Sequence, residues 1–215
     1  MIFTKISDEL LDILEPFSDW FFKQDLAELT ELANNNDKHT NDLEYSCSEE
    51  YLKEVVEKHG EHIGFPEISY SFDMNMDRCP QLFSKKIWEL NSELGAFLGA
   101  RNTAVSVYYP TNGFMGWHNN WNAHGYNILL SYTKAGSGFF KYRDPKTHEI
   151  VHLQDPGGWS SKVGYYGRGR EPDKVYYHCA GTFEPRITLG FVIPDLWMWR
   201  DMVADISGEN TENLS

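Results

Sequence analysis

The chain has 215 residues, 41% of them hydrophobic and 15% aromatic, and carries a formal net charge of −13. Its length suits one domain with an appended helical part and allows a substantial buried core. So acidic a chain repels phosphate backbones, and nucleic acid is not an expected partner.

The cluster Lys162, Arg168 and Arg170 is read as solvated loop charge, with a local basic groove as the alternative. Three cysteines, Cys47, Cys79 and Cys179, form neither a disulfide framework nor a zinc ribbon, which points to a reducing, cytoplasmic setting. The first residues lack the basic start and unbroken apolar run of a signal peptide. No stretch approaches the roughly 20 apolar residues that span a bilayer. A soluble protein with no membrane partner is expected.

In chain order, the first hundred residues read as helices and loops. Ser7 and Asp8 cap a short helix through Leu14, which Pro16 is expected to stop. A short amphipathic helix is expected over 24–34, ended by the polar run 34–37. Ser48 opens a third helix over 51–59, with Gly60 at its C-terminal cap. A longer helix over 81–98 presents Leu82, Ile87, Trp88, Leu90, Leu94 and Phe97 as its buried face. After Arg101 the texture becomes β-branched and aromatic. Strands are expected over 103–109, 126–133, 138–142, 149–153, 162–166, 175–179 and 187–193, with turns at 110–113, 135–138, 144–145 and 155–158. Short strands at this spacing indicate a sandwich or barrel. The chain therefore divides into a helical region 1–102 that supports the core, a β core 103–195 and a tail 196–215, frayed from 206 onward.

Three short runs carry chemistry. His118 and Asn120 are two apart, so in extended backbone both reach one side and can meet one metal ion. His178 stands at a strand end sixty residues later. Arg186 and Thr188 share one face of the next strand, eight and ten residues on. Two imidazoles and one oxygen ligand leave coordination positions open, the geometry of non-haem iron oxygenases. An arginine deeper in the same pocket suits a carboxylate, because its planar fork makes two parallel hydrogen bonds. A dicarboxylic keto acid could then chelate the metal at one end and meet Arg186 at the other.

The run Tyr109-Pro110-Thr111-Asn112-Gly113 with His118-Asn119-Asn120, the turn Gly136-Ser137-Gly138-Phe139-Phe140, and His178 through Arg186-Ile187-Thr188 resemble the Fe(II)/2-oxoglutarate dioxygenases, in particular their prolyl-hydroxylase-type branch. The resemblance covers residues 103–194 and implies a double-stranded β-helix, or jelly-roll, core. It implies His118 and His178 as catalytic metal ligands, with Asn120 at the position of the third, and Arg186, Thr188 and Tyr109 as co-substrate residues, with Asn127 a further candidate. Asn127 shares strand parity with Leu129 and Ser131, so all three are expected to face the barrel interior. The implied cofactors are Fe(II) and 2-oxoglutarate, with ascorbate as an accessory reductant. The implied partners are dioxygen and a peptidyl or small-molecule substrate. In that family 2-oxoglutarate is decarboxylated to succinate and CO2 while the substrate is hydroxylated.

The chain departs from that pattern at Asn120, where the family carries an acid. An amide oxygen offers a hard cation only a dipole. Three readings stay open: Asn120 ligates in an active enzyme, an anion such as chloride takes the position, or the protein is a catalytically inactive β-barrel that keeps a 2-oxoglutarate or metal pocket. A cupin-like enzyme acting on sugars is a further alternative. Asp144 and His124 are substitute ligand candidates, although Asp144 also reads as a turn residue. Trp117, Trp121 and Trp159 line either the substrate mouth or the core. Tyr165 and Tyr166 are candidate substrate contacts. His148 and His152 are expected to be exposed, and Cys179 to face away from His178.

Overall fold

A computed structural model describes residues 1–60, 63–120, 124–167, 171–209 and 211. In chain order these form β1 (Ile2–Thr4), α1 (Asp8–Phe21), α2 (Ala27–Asn34), α3 (Leu43–Ser46), α4 (Glu49–His59), β2 (Ser69–Tyr70), β3 (Phe72–Asp73) and α5 (Gln81–Phe97). The second half supplies β4 (Asn102–Tyr109), β5 (Phe114–His118), β6 (Gly125–Thr133), β7 (Gly138–Arg143), β8 (Ile150–Gln154), β9 (Gly158–Tyr166), β10 (Tyr177–Thr182), β11 (Arg186–Ile193) and α6 (Leu196–Ser207).

The eight strands β4 to β11 divide between two antiparallel sheets, β4, β6, β9 and β11 in one and β5, β7, β8 and β10 in the other. One sheet runs β1-β9-β6-β11-β4-β3 and the other β2-β5-β10-β7-β8. Apart from the β7–β8 hairpin, consecutive strands thus fall on opposite walls, which is the winding of a double-stranded β-helix. The fold is mainly β with N-terminal helices, as the sequence implied.

Strand alternation sorts the side chains into three layers. On β6 and β11, Ile128, Leu130, Ile187, Leu189, Phe191 and Ile193 point outward and pack with Leu10, Leu14, Phe21, Ile87, Leu94, Trp199 and Ile206 of the helices. The outer face of the smaller sheet, with Phe114, Trp117, Phe139 and Cys179, packs against Leu43, Tyr51, Leu52 and Val55 from α3 and α4. The space between the sheets holds Phe140, Tyr142 and Ala180 beside Leu129 and Tyr176. Both outer faces are covered, so polar inward residues are left for the barrel interior.

Several helix signals hold. Ser48 accepts from the Tyr51 amide at 3.1 Å, and Gly60 closes α4 at φ +59°. Other expectations are corrected. Pro16 does not stop α1, which runs on to Phe21. Proline removes only one helical hydrogen bond there, while the apolar stripe Leu10, Leu14, Phe17 and Phe21 continues past it into the core. On α5 the buried face is Phe83, Ile87, Leu90 and Leu94, whereas Leu82, Trp88 and Phe97 are exposed. A single helix face cannot bury both sets, and the sheet takes the one nearer the i, i+4, i+7 line.

The first hundred residues also hold strands. β1 pairs with β9, β2 with β5 and β3 with β4, each too short to leave a periodic signature. Residues 114–118, absent from the expected strands, form β5. Residues 196–207 are not tail but α6, capped by Asp195 on the Met198 amide at 3.0 Å and ended by Gly208 at φ +67°. Its Trp199, Met202, Val203 and Ile206 are buried, and Thr211 beyond it is buried as well.

Candidate active site

A cavity of about 70 Å³ lies between the sheets. Tyr109, His118, Asn120, Asn127, His178, Arg186 and Thr188 all line it, so the structure brings together the seven residues of the expected metal and co-substrate sets. Typical ligand pockets measure about 300–1,000 Å³, so the occupant here is small. A larger cleft of about 470 Å³ lies elsewhere, against Tyr126, Tyr165 and Trp199, and contains none of the seven.

Strand pairing sets the histidines opposite each other. His178 is the register partner of His118 across β10 and β5. It stands second in β10 rather than at a strand end, because that strand begins later than its sequence suggests. The ring centroids are 4.2 Å apart. Nδ1 of His118 lies 2.8 Å from the Gly116 carbonyl oxygen, and Nδ1 of His178 lies 3.0 Å from that of Tyr176. A carbonyl can only accept, so each Nδ1 carries the proton and each Nε2 keeps its lone pair. Burial pushes the His118 pKa down to about 4 and that of His178 well below the usual imidazole value. Both rings are therefore neutral near pH 7, the form in which imidazole binds a metal.

Asn120 follows the end of β5 in irregular backbone and still reaches the cavity. Its neighbour Asn119 is buried and accepts from the Gly64 amide at 3.4 Å. Among the described residues, no group of three His, Cys, Asp or Glu side chains could hold a metal ion.

The other end of the cavity is cationic. Arg186 is 1% exposed. Its Nε donates to Asp155 Oδ2 at 2.8 Å, and its Nη2 donates to Ser131 Oγ at 3.1 Å. Its Nη1 is buried without a hydrogen-bond partner. The guanidinium carbon lies 5.0 Å from the centre of the Tyr109 ring. Burial raises the Tyr109 pKa, while the nearby Arg186 charge and side-chain hydrogen bonding to Thr188 and Arg186 pull it back. Thr188 Oγ1 is also 3.4 Å from Ser131 Oγ, and these two residues are register partners on β11 and β6. A buried N–H without an acceptor costs about 1–3 kcal/mol, which an incoming carboxylate would relieve.

Two acid-end residues escaped the sequence reading. Asp155 looked like a turn residue, and Lys162 like solvated charge. Instead both are buried, and the Lys162 ammonium bonds to Asp155 Oδ1. Lys162 stands at an inward position of β9, level with Gly164 and Tyr166, which its strand parity could have revealed. The other two members of that cluster, Arg168 and Arg170, lie outside the described residues, as does Trp121.

Tyr166 lines the cavity and Tyr165 does not. Trp117 and Trp159 are core rather than mouth residues: their indole N–H groups donate to the Ser48 carbonyl at 2.8 Å and Ser18 Oγ at 3.1 Å. Asp144 caps its turn through the Lys146 and Thr147 amides, and neither it nor His124 lines the cavity. His148 and His152 are exposed, and Cys179 faces the outer cluster, away from His178.

Gly138 makes room for the acid end. A Cβ there would lie 2.6 Å from Asp155 Oδ2 and 3.1 Å from Arg186 Cδ. Gly138→Ala is therefore expected to displace the carboxylate and cost roughly 1–3 kcal/mol, as overpacking does, measurable by urea denaturation.

No protein-family model matches the chain, and no curated protein matches it in sequence. Among solved structures it is similar to OsALKBH1, at 14% identity over 54% of this chain and 64% of that one, with a TM-score of 0.30. It is similar to a Pseudomonas putida prolyl-4-hydroxylase at 14% identity over 59% and 68%, with a TM-score of 0.32. A cupin domain from Bordetella pertussis gives 15% identity over 42% and 79%, with a TM-score of 0.29. The chain thus spans just under two thirds of the length of OsALKBH1. Similarity of this size identifies no family, and the fold rests on the strand order itself. No helix among the described residues is long and apolar enough to cross a membrane.

Proposed function

We propose that this chain is an Fe(II)- and 2-oxoglutarate-dependent dioxygenase that hydroxylates a peptidyl or small-molecule substrate and releases succinate and CO2. One observation carries the reading. A single small cavity joins two imidazoles with proton-bearing Nδ1 atoms to a buried arginine whose Nη1 lacks a partner. The donor set fits a metal ion: both imidazoles are neutral, tied through Nδ1 and paired across two strands, with Asn120 as an oxygen donor beside them.

His118, His178 and Asn120 would hold Fe(II), which when bound supplies the reduction of dioxygen. Arg186 Nη1 and Thr188 bind and orient the distal carboxylate of 2-oxoglutarate, with the Tyr109 ring as a wall. Leu129, Phe140, Tyr166 and Ala180 exclude water from the space between.

The amide at Asn120 favours a second reading, a barrel that binds 2-oxoglutarate without turning it over. Purified protein with Fe(II), ascorbate and labelled 2-oxoglutarate separates the two. Succinate release that disappears in His118→Ala and Arg186→Ala supports the oxygenase. Binding of 2-oxoglutarate with no succinate in air establishes the binding protein instead.

A further inference from the structure

We propose that Lys162 is a positioning residue for the anionic co-substrate: by neutralising Asp155 it leaves Arg186 with an unspent charge for the ligand's carboxylate. This rests on the carboxylate-binding reading of the cavity given above.

Three charged side chains meet behind the cavity. Asp155, Lys162 and Arg186 are each about 1% exposed or less. One carboxylate faces two cations, so the buried cluster sums to +1. Asp155 gives one oxygen to Lys162 and the other to Arg186 Nε. Without Lys162 the remaining pair would sum to zero, and a ligand carboxylate would meet a guanidinium already matched by Asp155.

Lys162 does not line the cavity, so its effect passes through Asp155. The Lys162 ammonium otherwise lies 3.4 Å from Ser160 Oγ and 4.8 Å from the centre of the Phe3 ring on β1. Among the described residues, Asp155 and Arg186 are the ionisable groups against it. A purely structural role accounts poorly for this arrangement. Buried ion pairs are often no more stabilising than apolar side chains of similar size, and a second cation on one carboxylate adds desolvation cost. The unpartnered Nη1 of Arg186 is the complement of that surplus charge.

The electrostatics of the cluster agree with its geometry. Burial pulls Asp155 upward, but Arg186 and Lys162 together hold it below the usual carboxylate value, so it stays ionised. Burial lowers Lys162 to about 8. The surplus charge is present below that pH and is lost as pH rises through it.

The test is calorimetric titration of the full chain with two probes: 2-oxoglutarate with Mn(II), and glutarate without metal. Lys162→Met is expected to weaken both by about tenfold or more, the size of effect that removing a charge near a buried anion gives. Asp155→Asn/Lys162→Met restores the sum to +1 and is expected to return affinity to within about threefold of the natural chain. A structural role instead predicts that the double variant binds worst. Affinity of the natural chain is expected to fall above about pH 8, and that of Lys162→Met to stay flat. Unchanged affinity in Lys162→Met, or no recovery in the double variant, overturns the role of Lys162 alone. Failure of the natural chain to bind either probe overturns the carboxylate site and this role with it. Glutarate binding with the expected variant pattern, but no succinate from 2-oxoglutarate, supports the role of Lys162 and removes the oxygenase.

Discussion

Asp155→Ala is expected to destabilise the fold by about 3–5 kcal/mol, the cost of stranding buried charge without its partner. Two cations lose their counter-ion at once, Lys162 and Arg186, and neither can reach water. For a chain of this size each kcal/mol lowers Tm by roughly 2–4 °C, so a drop of roughly 6–20 °C is expected in a thermal melt. Asp155→Asn should lose less, since it keeps an oxygen acceptor and leaves the packing unchanged. A fall in Tm of only a degree or two in Asp155→Ala would show that the cluster is hydrated and that its charges are not confined.

The second large effect concerns the metal end. His178→Ala is expected to eliminate metal-dependent stabilisation. In the natural chain, Mn(II) at 100 times its Kd would add about 2.7 kcal/mol to unfolding free energy. Losing even a hydrogen-bond partner behind a metal ligand costs roughly 10–100-fold in affinity, and losing one of two imidazoles must cost more. Asn120→Asp should move the other way, because a carboxylate gives the cation a full charge where the amide gives a dipole. Thermal melts with and without Mn(II) read both variants. Equal shifts in the natural chain and His178→Ala would mean that the ion binds elsewhere.

The cavity was legible where chemistry follows strand parity. Arg186, Thr188 and Asn127 were readable because alternate residues of a strand share a face, His118 through its spacing from Asn120 although its own strand was not expected, and Tyr109 only through the family resemblance. Lys162 obeyed the same rule and was misread because a lysine without a visible counter-ion defaults to the surface. Its partner is seven residues away in an Asp-Pro-Gly-Gly segment that reads equally well as a turn. α6 left a signal that went unused: Trp199, Met202, Val203 and Ile206 recur at helical spacing between Asp195 and Gly208. The passage of α1 through Pro16 and the choice of face on α5 were different in kind. Both depend on what the sheet presents, and no local pattern encodes that. The three short strands of the first hundred residues exist only as additions to edges built by later sequence.

Each imidazole is fixed by the main chain of its own segment, through the carbonyl two positions before it. Among the described residues, no side chain sets which nitrogen bears the hydrogen. A saturation scan for loss of metal affinity should therefore find its severe hits concentrated at 118, 120 and 178, with the flanking positions tolerant as long as the backbone keeps its path. Sites that orient their histidines with carboxylates spread the same vulnerability over more codons.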